Sequence, residues 1–183
     1  MEIAKGVHLI ETYANCALFT DGRLVLIDTS VDDTAKDIFN WLRKNGRAPG
    51  AKIAVHRDDA DYVARTKVYP GPPGPQRHEA VNVDVRLEDG QKYEGFLVLH
   101  TPGHTPGHAS LLDTERKILV AGDALNNEKG LGPMSDKYNI DPKAHRQSIK
   151  KLANYEFETI LFGHGGPILR GGSQQVKALA AKL

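Results

Sequence analysis

Residues 101–108 read Thr-Pro-Gly-His twice over. Proline fixes the backbone and glycine permits tight bends, so this repeat makes a stiff loop that can present imidazoles from a strand end. Neutral imidazole is the commonest metal ligand in proteins, and zinc gathers three or four such donors. Two more donors stand in similar settings. Asp123 follows Gly122 and the apolar residues 118–121, and His164 lies between Gly163 and Gly165 after the apolar residues 160–162. A buried carboxylate is costly unless paired, so Asp123 needs a partner, and a cation can serve. His104, Asp123 and His164 are therefore candidate metal ligands. The alternative for each is a turn side chain hydrogen-bonded to backbone. His108, four residues beyond His104, reads as a group that supports the loop instead of binding metal.

Strands and helices must position these residues. Short strand-like runs at 6–11, 15–20 and 23–28 are joined by an Asp21-Gly22 hairpin signal, and the nearly continuous apolar stretch 24–27 predicts burial on both faces. Asp32 and Asp33 can start a helix whose stripe is Ala35, Ile38, Phe39 and Leu42, stopped at Gly46. A strand at 52–56, a helix at 57–65 and a Pro-Gly-Pro-Pro-Gly-Pro surface loop at 70–75 follow. Further strands are expected at 81–87, 96–100, 109–112, 117–121 and 159–162, with a hairpin turn at Asp89-Gly90. Asp141-Pro142 opens a helix reaching about Ala153 with Ile149 and Leu152 inward, and residues 173–182 form a closing helix. Strands begun by hairpins and covered by helices predict a layered α/β arrangement.

The bulk properties exclude several classes. The chain has 183 residues, enough for one domain, residues 1–183, with a sizeable core. It is 40% hydrophobic and 26% charged with a formal net charge of +1, which gives no electrostatic case for nucleic acid or a membrane surface. Its one cysteine, Cys16, excludes an intramolecular disulfide and a Cys-rich zinc site, and its apolar neighbours predict a buried thiol. The first residues show no charged-then-apolar leader pattern, and no apolar run approaches the length of a membrane span. A cytoplasmic protein is the expectation.

The motifs together resemble the metallo-β-lactamase-fold superfamily, close to its small glyoxalase II-like and lactonase-like hydrolases. The hairpin start, Leu26-Ile27-Asp28-Thr29, the double Thr-Pro-Gly-His, Gly122-Asp123 and Gly163-His164-Gly165 occur in the family's order. The resemblance implies an αββα sandwich with a metal centre at one edge between its sheets. It implies that His104 binds a first metal, that Asp123 bridges two metals and that His164 binds the second. Asp28 and His108 would be supporting groups near the site.

One departure is large. The family's His-x-His-x-Asp-His signature, on a strand–loop–helix unit expected between Gly46 and residue 52, occurs nowhere in the sequence. Pro49 runs straight into Gly50. His56 matches a position without a ligand role, and His8, His78, His100 and His145 look scattered, without partners at ligand spacing. Half of the metal ligands are then missing. The expected cofactor is one weakly held zinc, or two only with the full signature, with iron or manganese less favoured. The leading reading is a protein of metal-dependent hydrolase ancestry, acting on a small ester, thioester, lactone or phosphoester through metal-activated water, with weak or no activity. The alternative is a non-catalytic scaffold or binding variant of the fold. The missing strand would leave an edge that pairing into a homodimer could cover.

Overall fold

A computed structural model describes residues 1–21, 24–28, 38, 40, 43–44, 52–71 and 80–183. The Pro49-Gly50 junction, the Gly46 helix stop, His78 and Pro72–Pro75 of the proline-rich loop lie outside these residues. The chain divides into two compact units, Met1–Lys52 and Ile53–Leu183.

The first unit is an antiparallel meander of β1 (Glu2–Ala4), β2 (Val7–Ile10), β3 (Cys16–Phe19) and β4 (Val25–Ile27), in that spatial order. Buried Ile10, Cys16 and Leu18 cluster with Ile38, the one described residue of the expected helix stripe, and Val7, Leu9, Ala17 and Phe19 are buried as well. The Cys16 thiol is buried, as expected. The expected two-sided burial of residues 24–27 does not hold. Val25, Leu26 and Ile27 are half-buried and Leu24 is exposed, because β4 ends the four-stranded order among the described residues and has its one strand partner in β3.

The second unit holds β5 (Ala54–His56), β6 (Val85–Leu87), β7 (Lys92–Tyr93), β8 (Phe96–His100), β9 (Ala109–Asp113), β10 (Ile118–Gly122) and β11 (Thr159–Phe162). Its helices are α1 (Arg57–Val63), α2 (Pro142–Leu152) and α3 (Gly172–Ala180). β5 and β6 pair in parallel as a small ribbon, and the main sheet runs β11-β10-β9-β8-β7. Asp89-Gly90 does not make the predicted hairpin. The chain crosses there from one sheet to the other, and the tight turn lies at Glu94-Gly95, both with positive φ, between β7 and β8. Two positive φ values are what a two-residue hairpin of matching twist demands, and Glu-Gly announces them less clearly than Asp-Gly. The helix at 142 starts as expected. Asp141 accepts a hydrogen bond from the Ala144 amide (2.9 Å) and Pro142 takes the first turn. His145, Ser148, Ile149 and Leu152 form its buried stripe.

Strand direction decides where the chemistry gathers. β10 and β11 are parallel, while β9 is antiparallel to both β10 and β8. Hence β8, β10 and β11 all run the same way. The segments leaving their carboxyl ends, which carry His104, Asp123 and His164, emerge along one edge of the sheet.

Candidate metal centre

The Thr101–His108 loop is held from both sides. Across its base the Thr101 amide donates to the His108 carbonyl (2.9 Å). From α1, the Asp59 carboxylate accepts from the Gly107 amide (2.7 Å) and from the Thr105 hydroxyl. A Cβ at Gly107 would stand 2.4 Å from the Asp59 amide nitrogen, so only glycine lets the loop come this close. Burial pushes the Asp59 carboxyl up from its ordinary value, against the pull of those two hydrogen bonds. From the α2 side, Ser148 donates to the Pro102 carbonyl (2.7 Å) and the Asp141 amide to the Gly103 carbonyl (2.9 Å). Gly103, at φ 136, lies so near α2 that a Cβ would meet the His145 backbone at 2.4 Å.

The loop, so clamped, delivers His104 to Asp123. His104 Nε2 lies 3.3 Å from Asp123 Oδ2, and His164 Nε2 lies 3.6 Å from Asp123 Oδ1. Each histidine thus faces its own carboxylate oxygen, and all three side chains are about one-fifth exposed. Asp123 Oδ1 is buried without a hydrogen-bond partner. A Cβ at Gly163 would come within 2.5 Å of it, so the glycine before His164 clears the space beside that oxygen. These three residues do not bring three donor atoms within 4.8 Å of one another. The arrangement fits one nitrogen and one carboxylate oxygen for each of two cations, and it is too open to close around one.

Asp123 is fixed through its backbone. Its amide donates to His108 Nε2 (3.0 Å). His108 must therefore carry its proton on Nδ1, which faces the Thr101 hydroxyl (2.9 Å) and carbonyl (3.1 Å). The chain of contacts continues from Thr101 to Ser110 (3.1 Å) and from Ser110 to the Ala121 carbonyl (3.1 Å). Burial pushes the His108 imidazole down to about 3, so it stays neutral. On the other side, His145 Nε2 lies 3.2 Å from the Asp123 carbonyl. A carbonyl only accepts, so Nε2 carries the proton. Burial lowers the His145 pKa, and that hydrogen bond opposes the shift. His108 thus holds the Asp123 amide, and His145, which looked isolated in the sequence, meets the Asp123 carbonyl. Asp28 directly follows β4 with φ 64 and belongs to the first unit. An aspartate tolerates this left-handed conformation better than most residues.

A second group was missed altogether. His56 and His100, the last residues of β5 and β8, stack with ring centroids 4.0 Å apart and planes at 10°. Asp58 Oδ2 lies 3.8 Å from both His56 Nδ1 and His100 Nε2. The signal was the one that marked His164, a histidine at the end of an apolar strand, but the 44-residue separation hid the pairing.

Residues 43–164 match the metallo-beta-lactamase superfamily. The probable metallo-hydrolase YflN of Bacillus subtilis (strain 168) is 31% identical over 147 residues, 63% of this chain and 55% of that protein. An N-acyl homoserine lactonase of a Bacillus species is 29% identical over 137 residues, 69% of this chain and 52% of that protein. The chain spans about half the length of these curated relatives. The crystal structure of the metallo-beta-lactamase family protein TTHA1429 from Thermus thermophilus superposes with a TM-score of 0.74 at 21% identity, over 98% of this chain and 80% of that one. The chain therefore belongs to the metallo-β-lactamase superfamily. Its fold is the α/β class expected from the resemblance, and its ancestry is that of metal-dependent hydrolases.

Proposed function

We propose that this protein is a metal-dependent hydrolase of small esters, thioesters, lactones or phosphoesters, built on a metal centre of which this chain supplies His104, Asp123 and His164. One observation carries the reading: two histidines present Nε2 to opposite oxygens of one carboxylate, and one of those oxygens is buried without a hydrogen bond. A structural aspartate would turn both oxygens to amides or hydroxyls. The donor set of two imidazoles and a carboxylate suits zinc best, with iron or manganese as lesser candidates. A cation bound there polarises a carbonyl or phosphoryl oxygen and acidifies water.

The chain's own residues do the positioning. The Asp59 and α2 contacts hold the loop that aims His104, His108 and His145 hold Asp123 by its amide and carbonyl, and Gly163 leaves room at Oδ1. One nitrogen and one oxygen per cation is half of what a tetrahedral zinc needs. Weak binding and slow turnover follow. The competing reading is a scaffold that binds without turnover.

Metal analysis of the purified chain, with hydrolysis of a chromogenic ester, a lactone and a phosphodiester, separates the two. Substoichiometric metal, turnover that rises on adding zinc, and loss of both in His104→Ala are expected. A chain that takes up no metal at these residues and hydrolyses none of the three substrates would leave the scaffold reading.

A further inference from the structure

We propose that Asn127 is the positioning residue for His164, tying the turn after β11 to the segment that carries Asp123. The role rests on the reading of His164 as a metal ligand. The turn needs such a tie, because His164 stands between Gly163 and Gly165, and glycine restrains the backbone less than any other residue.

On the β11 side of His164, the Gly163 amide donates to the Gly122 carbonyl (3.2 Å). On the far side the partner is Asn127. Its backbone amide donates to the His164 carbonyl (3.0 Å), and its side-chain Nδ2 donates to the Gly166 carbonyl (2.7 Å). A carbonyl only accepts, so the nitrogen of the Asn127 side chain, not its oxygen, faces Gly166. Between these two bonds, Gly165 pairs with Asn127 as a parallel bridge at φ 92. A Cβ at Gly165 would stand 2.5 Å from the Asn127 carbonyl oxygen. The glycine therefore brings the turn onto Asn127, and two hydrogen bonds flanking the glycine hold it there.

Asn127 is itself well placed to act as an anchor. Asn126 and Gly132 exchange both backbone hydrogen bonds (2.9 Å each), and the Asn126 side-chain oxygen accepts from the Glu128 amide (2.9 Å). Ala124 and Leu125 are fully buried in the large apolar cluster. Asp123 lies four residues before Asn127, so the two share one anchored segment. The carboxylate stands at one end of it and the clamp on the His164 turn at the other. The 3.6 Å between His164 Nε2 and Asp123 Oδ1 is then set largely from this segment. Asparagine suits the place because it is short and brings an N–H donor. Aspartate has the same shape but would set an acceptor against the Gly166 carbonyl.

A double-mutant cycle on the full chain tests this, read by zinc titration and by NMR of the metal-free protein. Asn127→Ala keeps the backbone bond to His164 and removes the side-chain bond to Gly166. It should weaken zinc binding about tenfold or more, with circular dichroism unchanged. Added to His164→Ala, it should cost no further affinity, because Asn127 acts through that imidazole. In metal-free protein, Asn127→Ala and Asn127→Asp should each shift the ring signals of His164 and leave those of His104, His108 and His145 in place. Wild-type zinc affinity in Asn127→Ala, losses that add in the double variant, or His164 ring signals unmoved by both substitutions would each overturn the proposal. If the wild-type chain binds no zinc, the metal reading fails by itself, and the metal-free spectra still decide whether Asn127 positions His164.

Discussion

Asp123 is gripped at both ends of its backbone by histidines that are not themselves placed to bind metal. His108 takes its amide and His145 its carbonyl. This divides labour among side chains of one type: His104 and His164 face the carboxylate, while the other two fix where that carboxylate stands. Outer partners of this kind set ligand orientation and typically account for a factor of about 10–100 in metal affinity. His145→Ala should therefore weaken zinc binding by about that factor and cost about 1–3 kcal/mol of stability. His145→Gln, which keeps a donor, should recover much of the affinity. Zinc titration beside urea denaturation tests this, and a loss of stability without loss of affinity would confine His145 to packing. His108 makes a separate pH prediction. Its folded pKa of about 3 lies below the unfolded value near 6.5, so between these the unfolded chain binds more protons. Its contribution is complete above about pH 6.5 and is lost as pH falls toward 3, at up to about 1.4 kcal/mol per pH unit. His145 acts in the same direction. Asp59, with its raised pKa, opposes them above its unfolded value. Metal-free protein should lose stability from pH 7 to pH 5, and His108→Gln should flatten that slope.

At the scale of elements, the central feature is a loop clamped between two helices. Asp59 on α1 closes two hydrogen bonds to it and α2 packs against Gly103. Asp59→Ala would leave the Gly107 amide and the Thr105 hydroxyl without their acceptor, at about 1–3 kcal/mol. It should also weaken metal binding, because His104 immediately precedes Thr105, one of the two freed contacts. Thermal unfolding with and without zinc measures both effects, and a variant with wild-type affinity would show that α2 alone positions the loop. Sequence periodicity located most strands and both long helices of the second unit, because apolar strand runs and the Asp141-Pro142 cap are local signals. The shared edge of His104, Asp123 and His164 was legible for a related reason: each stands just past such a strand. What stayed hidden needed topology. Asp59 was only one residue of the expected helix at 57–65, His56 matched a position without a ligand role, and His100 and His145 looked scattered, until β5, β8 and α2 were brought together. The Asp89-Gly90 hairpin failed because a local turn signal cannot say which sheet the next strand will join.

For the molecule as a whole, the two units are unequal. The large apolar cluster, including Leu99, Leu119, Leu125, Ile149, Phe157 and Ile160, lies entirely within Ile53–Leu183. In Met1–Lys52, Ile10, Cys16, Leu18 and Ile38 form one cluster with Leu26 against it, and Val7, Leu9, Ala17 and Phe19 are buried besides. A unit of about fifty residues buries a smaller share of its surface than a larger one and is correspondingly marginal, and opening free energies differ across a structure. The smaller unit should therefore open at lower denaturant than the larger. Cys16 reports on it directly, being the chain's one thiol and fully buried. Reaction of Cys16 with a chromogenic disulfide, followed across a urea series, should reach its midpoint below that of the far-ultraviolet circular dichroism, to which both units contribute. Zinc should raise the midpoint of the second unit, by about 2.7 kcal/mol at a hundredfold excess over its dissociation constant, and leave the Cys16 midpoint nearly unmoved. Coincident midpoints that zinc shifts together would show instead that residues 1–183 unfold as one cooperative domain.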